Sequence, residues 1–518
     1  MSGEWDLELS RRRLLEAAGA GALAASLPGA EAAAGEGPGG PAPPVAGLHL
    51  QFGADAATQM VASWHTLEPV RRPRVLLGRP DGRLDRMAEA ATRTYVDAKS
   101  GKTVYAHHAR LGGLSPDTAY LYGALHEGAA AAFASFRTAP RGRARFTFTS
   151  FGDQSTPTLG RRLAPPGAAM PYPPFVSDHL GSPFAADTTA GVERLQPLFH
   201  LFNGDLSYAN LAEDRVRAWW DFWDNNSMSA ANRPWMPSAG NHENELGNGP
   251  IGYGAYQTYF ETPPAPGQTE LTRGLWYAFT AGSVRVISLA NDDVCHQDGG
   301  DSYVRGYSKG AQKAWLEAEL AAARADRSID WIVVCMHQVA VSTAEKANGA
   351  DLGIREEWGP LFDRHGVDLV LCGHEHHYER SHPIRGAEAN ATLTPIAAPA
   401  AGVVDTTAGA VHLVIGSGGT SNPTNGVLFD PPQCRVITGV GAPGPNGKRA
   451  PVYVTEPAPW SAARNVAHAY GFAAFTVEPG APGGFTTIEA TYYDVVGTGG
   501  ALRPFETFTL RRPRGDRT

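Results

Sequence analysis

Two textures of hydrophobic pattern divide the chain. From Val45 to Pro140 short apolar runs alternate with polar residues and are broken by turn formers. His49-Leu50-Gln51-Phe52, Met60-Val61-Ala62-Ser63-Trp64, Arg74-Val75-Leu76-Leu77 and Ala119-Tyr120-Leu121-Tyr122 are examples. Period-two alternation buries one face of each strand, so this spacing predicts a β-sandwich over residues 45–140, with His107 and His108 on its strand surfaces. After Arg143 apolar runs alternate with helical patterns, which predicts an α/β domain over residues 143–518. Ser308 is placed to cap a helix running through Trp315 and Leu320 to about Arg324, and a strand from Ile329 to Met336 follows. The Gly-, Pro-, Asn- and Thr-rich stretch 398–467 is predicted to be mostly loop. Its Gly416-Ser417-Gly418-Gly419 run reads as a turn, since no helical pattern follows it.

The first 44 residues fit neither texture. Ser10-Arg11-Arg12-Arg13-Leu14-Leu15 sets a twin arginine before an Ala/Gly/Leu stretch, and Ala30-Glu31-Ala32-Ala33-Ala34 offers small-residue cleavage positions. That order predicts a twin-arginine signal peptide over 1–34, its apolar part well short of the ~20 residues a membrane span needs. A Gly/Pro-rich linker, 35–44, follows. The expectation is an extracytoplasmic protein, secreted or in the cell envelope, that meets the twin-arginine translocase during export and has no membrane span when mature. The formal charge of −8 gives no electrostatic reason to expect nucleic acid or an anionic membrane as partner. An anionic substrate would need positive charge supplied locally, most simply by metal ions. The four cysteines lack any Cys-x-x-Cys spacing, which excludes a cysteine-rich zinc knuckle. Cys335 and Cys372 sit in apolar runs, while Cys295 and Cys434 lie in polar stretches and could pair in an oxidised protein.

Five apolar strands each run into metal-capable side chains. Phe146 to Phe151 leads into Gly152-Asp153, and Leu198 to Phe202 into Asn203-Gly204-Asp205-Leu206-Ser207-Tyr208. Trp235 to Ala239 leads into Gly240-Asn241-His242-Glu243, Trp331 to Met336 into His337, and Val367 to Cys372 into Gly373-His374-Glu375-His376-His377. In open α/β sheets ligands bind beyond the carboxyl ends of the strands, so five such ends point at one place. A Gly-Asp pair alone is ordinary turn chemistry; five in this order are not.

The set Gly152-Asp153, Gly204-Asp205-x-x-Tyr208, Gly240-Asn241-His242-Glu243, Val334-x-x-His337 and Gly373-His374-x-His376 resembles the purple acid phosphatases of the calcineurin-like metallophosphoesterase superfamily. The tyrosine in Asp205-x-x-Tyr208 is the specific part, because the wider superfamily lacks it. The stretch Leu111 to Tyr122 looks like the tyrosine corner of a fibronectin type III domain, and a fibronectin-like N-terminal domain also matches the family. So does the ending Tyr470-Gly471-Phe472 with Thr486 to Asp494. Bacterial twin-arginine alkaline phosphatases are the near neighbour, with other characteristic motifs. One departure is Ser155, where the family has a second glycine.

The resemblance implies a fibronectin III-like β-sandwich followed by a calcineurin-like metallophosphoesterase β-sandwich flanked by helices. It implies one metal held by Asp153, Tyr208, His376 and a shared Asp205, and another by Asp205, Asn241, His337 and His374. Phenolate and carboxylate suit Fe(3+), while imidazole and amide oxygen suit Zn(2+), Mn(2+) or Fe(2+). His242 would face the substrate, with Glu243 and His377 orienting the ligands; Arg380 and His382 suit structural hydrogen bonding as well. The implied reaction is hydrolysis of a small phosphate monoester by hydroxide from metal-activated water, as in an acid phosphatase. The same core fits a phosphodiesterase acting on nucleotides or lipid head groups. A non-catalytic envelope binding protein would predict an incomplete ligand set, and here every position is filled. Some relatives hold substrate with a histidine pair beyond the Val-x-x-His motif; Gln338 to Glu345 contains none.

Overall fold

The computed structural model describes residues 42–155, 181–299, 303–386, 393–445 and 447–516. The expected signal peptide lies outside the described residues.

The N-terminal unit is built from seven antiparallel strands. In spatial order they are Ala46–Phe52, Met60–Thr66, Thr103–Leu111, Arg86–Val96, Arg74–Gly78, Ala119–Leu125 and Ala132–Arg137. The strand Arg86–Val96 belongs to both halves: Arg86 to Glu89 pairs with Arg74–Gly78, and Ala90 to Val96 with Thr103–Leu111. Tyr120 Oη accepts a hydrogen bond from Ser115 N at 2.8 Å, which is the tyrosine corner. His107 and His108 are not strand-surface residues. Both are buried: the next domain covers His108, whose Nε2 meets Thr258 O at 3.0 Å, while His107 points into the N-terminal unit itself, between Thr66 Oγ1 at 3.0 Å and Thr92 Oγ1 at 2.9 Å.

The second unit contains two seven-stranded sheets. One runs Trp235–Pro237, His200–Phe202, Phe146–Phe151, Gly471–Glu478, Phe485–Gly497, Ala501–Pro513, Val403–Asp405; the other runs Tyr277–Ala281, Val284–Ser288, Trp331–Cys335, Leu369–Cys372, Val411–Ile415, Tyr378–Ser381, Ser461–Arg464. The motif strands are mutually parallel, three side by side in the first sheet and two in the second. Their carboxyl ends therefore open at the same edge. Trp331 Nε1 donates to Thr486 Oγ1 across the two sheets at 3.0 Å.

Ser308 lies ahead of the helix Ala311–Ala325 and does serve its first turn: its Oγ accepts from Gln312 N at 3.3 Å while its hydroxyl donates to Asp293 Oδ2 at 2.5 Å. One local expectation fails. The stretch 398–467 is not mostly loop. Gln433–Pro443 and Arg449–Pro457 form a long antiparallel hairpin and Val411–Ile415 is a buried central strand. Its glycines and prolines mark bulges and turns between strands, not loss of them.

One buried core runs through both units. At the seam His49 stacks on Trp223 with ring centroids 3.8 Å apart, and Tyr122 Oη donates to Ala231 O at 2.7 Å. Burial, the largest cause in each case, pushes His49 and His107 down to about 4 and His65 to about 3. An unfolded chain takes up these protons near pH 6.5, the folded chain only at much lower pH. Stability is thus complete above about pH 6.5 and falls on acidification, by about 1.4 kcal/mol per pH unit for each imidazole kept neutral. Urea midpoints should be clearly lower at pH 5 than at pH 7; equal midpoints would contradict the neutral seam.

Candidate metal centre

The turns after the motif strands hold their side chains in costly backbone. Asp153, Asp205, Tyr208 and His374 have φ of 59°, 52°, 54° and 70°. Left-handed backbone costs a non-glycine residue about 1–2 kcal/mol, so four cases at one edge mark a place where the surroundings impose conformation. Ser155 has φ 76°: it keeps the turn that glycine would favour. Two glycines are required by close approach. A Cβ on Gly240 would lie 2.3 Å from Asp205 Oδ1, and one on Gly373 would lie 2.2 Å from Asp153 Oδ2.

All seven sequence-selected ligand candidates converge, in two groups. Tyr208 Oη lies 3.2 Å from both Asp153 Oδ1 and His376 Nε2, and His376 Nε2 lies 3.3 Å from Asp153 Oδ1. His337 Nε2 lies 3.0 Å from Asp205 Oδ2, 3.1 Å from Asn241 Oδ1 and 3.2 Å from His374 Nδ1. Nitrogen and oxygen atoms of Asp205, His337 and His374 fall within 4.8 Å of one another. The first group has two oxygen donors and one imidazole, and the second has two imidazoles and two oxygen donors.

Each of these histidines is tethered from behind. His337 Nδ1 donates to Asn203 O at 2.7 Å, His376 Nδ1 to Asn422 O at 2.6 Å, and His374 Nε2 to Gln297 Oε1 at 2.6 Å. The tether fixes the proton on the rear nitrogen and turns the other toward the centre, the arrangement found in metal-ligating histidines. Glu243 works on the backbone instead. Its Oε2 accepts from Asp205 N at 2.9 Å and Gly240 N at 2.8 Å, and Oε1 from Leu206 N at 2.8 Å. It thus joins the second motif turn to the third.

The electrostatics are those of clustered anions. Burial pushes Asp205 up, but His337 and then His242 outweigh it and hold the carboxylate below its usual range. Burial pulls His337 down, yet Asp205 and Asp153 hold its proton on to about 10. Burial, then Asp153 and Asp205, raise the Tyr208 phenol well above its usual value. Burial and then Asp205 push Glu243 up to about 8, against its backbone donors. Buried carboxylates, a phenol and inward-facing imidazoles make a donor set that fits cations, and two groups meeting at Asp205 fit two of them.

His242 lies at the rim. Its Nδ1 donates to Asn210 Oδ1 at 2.9 Å, its ring contacts Tyr208 at 4.3 Å, and Nε2 stands 3.9 Å from Asp205 Oδ2. His377 is a layer away, bonded to Thr424 Oγ1 at 2.7 Å. Arg380 is structural, paired with Glu506 at 2.6 Å. The Cys295–Cys434 disulfide is absent: both cysteines are buried and free, Cys295 in the main core and Cys434 in a separate small cluster. Asn203, Asn210, Gln297 and Asn422 were missed by the sequence reading. Asn203 and Asn210 flank the second motif and could have been weighed there; Gln297 and Asn422 carry no local signal.

Residues 176–378 match the family model for calcineurin-like phosphoesterases, and residues 45–138 match that for the purple acid phosphatase N-terminal domain. The fold and this site are those of a metallophosphoesterase. Two uncharacterized proteins of Mycobacterium tuberculosis, from strains CDC 1551 / Oshkosh and ATCC 25618 / H37Rv, are 60% identical over 476 residues, which is 92% of this chain and 88% of each of theirs. A purple acid phosphatase of Glycine max is 30% identical over 268 residues, 50% of this chain and 53% of its own. The structure of purple acid phosphatase PPD1 from yellow lupin (Lupinus luteus) seeds shares the fold with a TM-score of 0.63 at 19% identity, covering 92% of this chain and 76% of that one. The chain joins a purple acid phosphatase N-terminal domain to a calcineurin-like phosphoesterase domain, and is a purple acid phosphatase-like metallophosphoesterase, a type that uses a dimetal centre.

Proposed function

We propose that this chain is an exported phosphomonoesterase holding Fe(3+) beside Zn(2+), Mn(2+) or Fe(2+). The observation that carries the reading is the set of three histidines, each tethered by its rear N–H to an oxygen and facing Asp153, Asp205, Tyr208 and Asn241 with the other nitrogen. Bound cations would polarise the phosphoryl oxygens and supply hydroxide near neutral pH. Asp205, between the two donor groups, would serve both. His242 presents Nε2 beside Asp205, whose charge favours the imidazolium that burial opposes, and in that protonated form it can give a proton to the departing alcohol. Burial, and then Asp153 and Asp205, oppose ionisation of Tyr208, so a trivalent ion is the cation best able to stabilise its phenolate.

The purified protein should contain two metal equivalents, absorb in the visible through a tyrosinate-to-iron transition, and turn over p-nitrophenyl phosphate far faster than bis(p-nitrophenyl) phosphate. Tyr208→Phe should lose the visible band. A colourless, active enzyme holding only zinc or manganese would defeat the iron assignment and leave the hydrolase intact; the reverse substrate preference would make it a diesterase. The twin arginine motivates the export reading, and replacing Arg11, Arg12 and Arg13 by lysine should retain the protein in the cytoplasm. Unchanged export would refute that route.

A further inference from the structure

A cleft of about 450 Å³ lies on the seam between the N-terminal strands and the segment 260–274. Val61, Arg93 and Arg110 line it from one side, and Phe260, Glu261 and Arg273 from the other. The buried Glu261 carboxylate takes Arg93 on one oxygen and Arg110 on the other. Arg273 leans outward to Glu270 at 3.3 Å and donates to Gln257 O at 3.3 Å. Two guanidiniums thus meet the buried Glu261 carboxylate and a third, held by the exposed Glu270, lines the same cleft, so three arginines face two carboxylates in a protein whose net charge is −8. Burial first, and then Arg273 and Arg110, hold Arg93 below the usual arginine range in spite of Glu261.

We propose that this cleft is a second ligand site, separate from the metal centre, for a small organic anion with an apolar body. Its volume is that of ordinary small-molecule pockets, about 300–1,000 Å³, and domain seams are where such pockets occur. The anionic head would take the guanidiniums of Arg110 and Arg273, whose side chains are 72% and 30% exposed, and balance the positive charge that Glu261 and Glu270 leave uncancelled. The apolar body would lie against Val61 and Phe260. None of these six residues belongs to the dimetal candidates, so the inference does not depend on the metal reading.

The test uses the full chain and 8-anilinonaphthalene-1-sulfonate, itself an anion on an apolar body. Fluorescence titration should saturate at one dye per chain, and octanoate should displace the dye while inorganic phosphate should not. The double variant Arg110→Gln with Arg273→Gln should bind it at least about tenfold more weakly and hydrolyse p-nitrophenyl phosphate at an unchanged rate. Glu261→Gln, which removes the competing carboxylate, should bind it several-fold more tightly. Non-saturable binding, displacement by inorganic phosphate, or unchanged affinity in the double variant would each overturn the proposal.

Discussion

Asp205→Ala should lose hydrolysis by on the order of 10³-fold or more in kcat/KM, together with most of the bound metal. The carboxylate stands where the two donor groups meet, 3.0 Å from His337 Nε2, and its Oδ1 also accepts from His242 N at 2.9 Å. Metal-ion stabilisation of a transferring phosphoryl group is worth several kcal/mol, and each 1.4 kcal/mol is a factor of ten. The loss should not come from unfolding, because the side chain is held by the site and not by the apolar core. Steady-state kinetics, metal analysis and a thermal melt on the same preparation decide the matter. A variant with full activity would refute the dimetal model.

His242→Ala has the next largest effect, with a different signature. General acid catalysis contributes about 10²–10⁴-fold, so turnover should fall within that range while both metals stay bound. The loss should depend on the leaving group. A p-nitrophenolate departs without help, whereas an alkoxide needs the proton, so an alkyl phosphate should suffer more than the aryl ester. An equal loss on both would assign His242 to the phosphoryl oxygens instead. Substituting Asn210, the acceptor of the His242 Nδ1 proton, should reproduce a weaker form of the same pattern.

Much of this centre was legible in the chain because each ligand candidate follows directly on a strand, and strands announce themselves by uninterrupted apolar runs. Phe146–Phe151 ends where the pattern predicts and Trp331–Cys335 one residue earlier, and the turns that follow carry Asp153 and His337. The tethers were less visible. Asn422 and Gln297 reach His376 and His374 from loops remote in sequence, and an amide carries no mark of the partner it will meet. The misread histidines and cysteines fail for a related reason. Local polarity predicts exposure only when water lies beside it, and at His107, His108, Cys295 and Cys434 protein does.

The strand that ends in Asp153 pairs on one side with His200–Phe202 and on the other with Gly471–Glu478, more than 300 residues further along. A ribosome therefore delivers the first ligand long before it delivers the neighbour that closes the sheet around it. Nascent chains would carry an open edge beside Phe146–Phe151 throughout most of translation, the kind of edge that recruits wrong partners. Metal loading then becomes a late event, after release of a nearly complete chain, and a stop codon ahead of Gly471 should yield a product that expresses but neither takes up metal nor stays in solution.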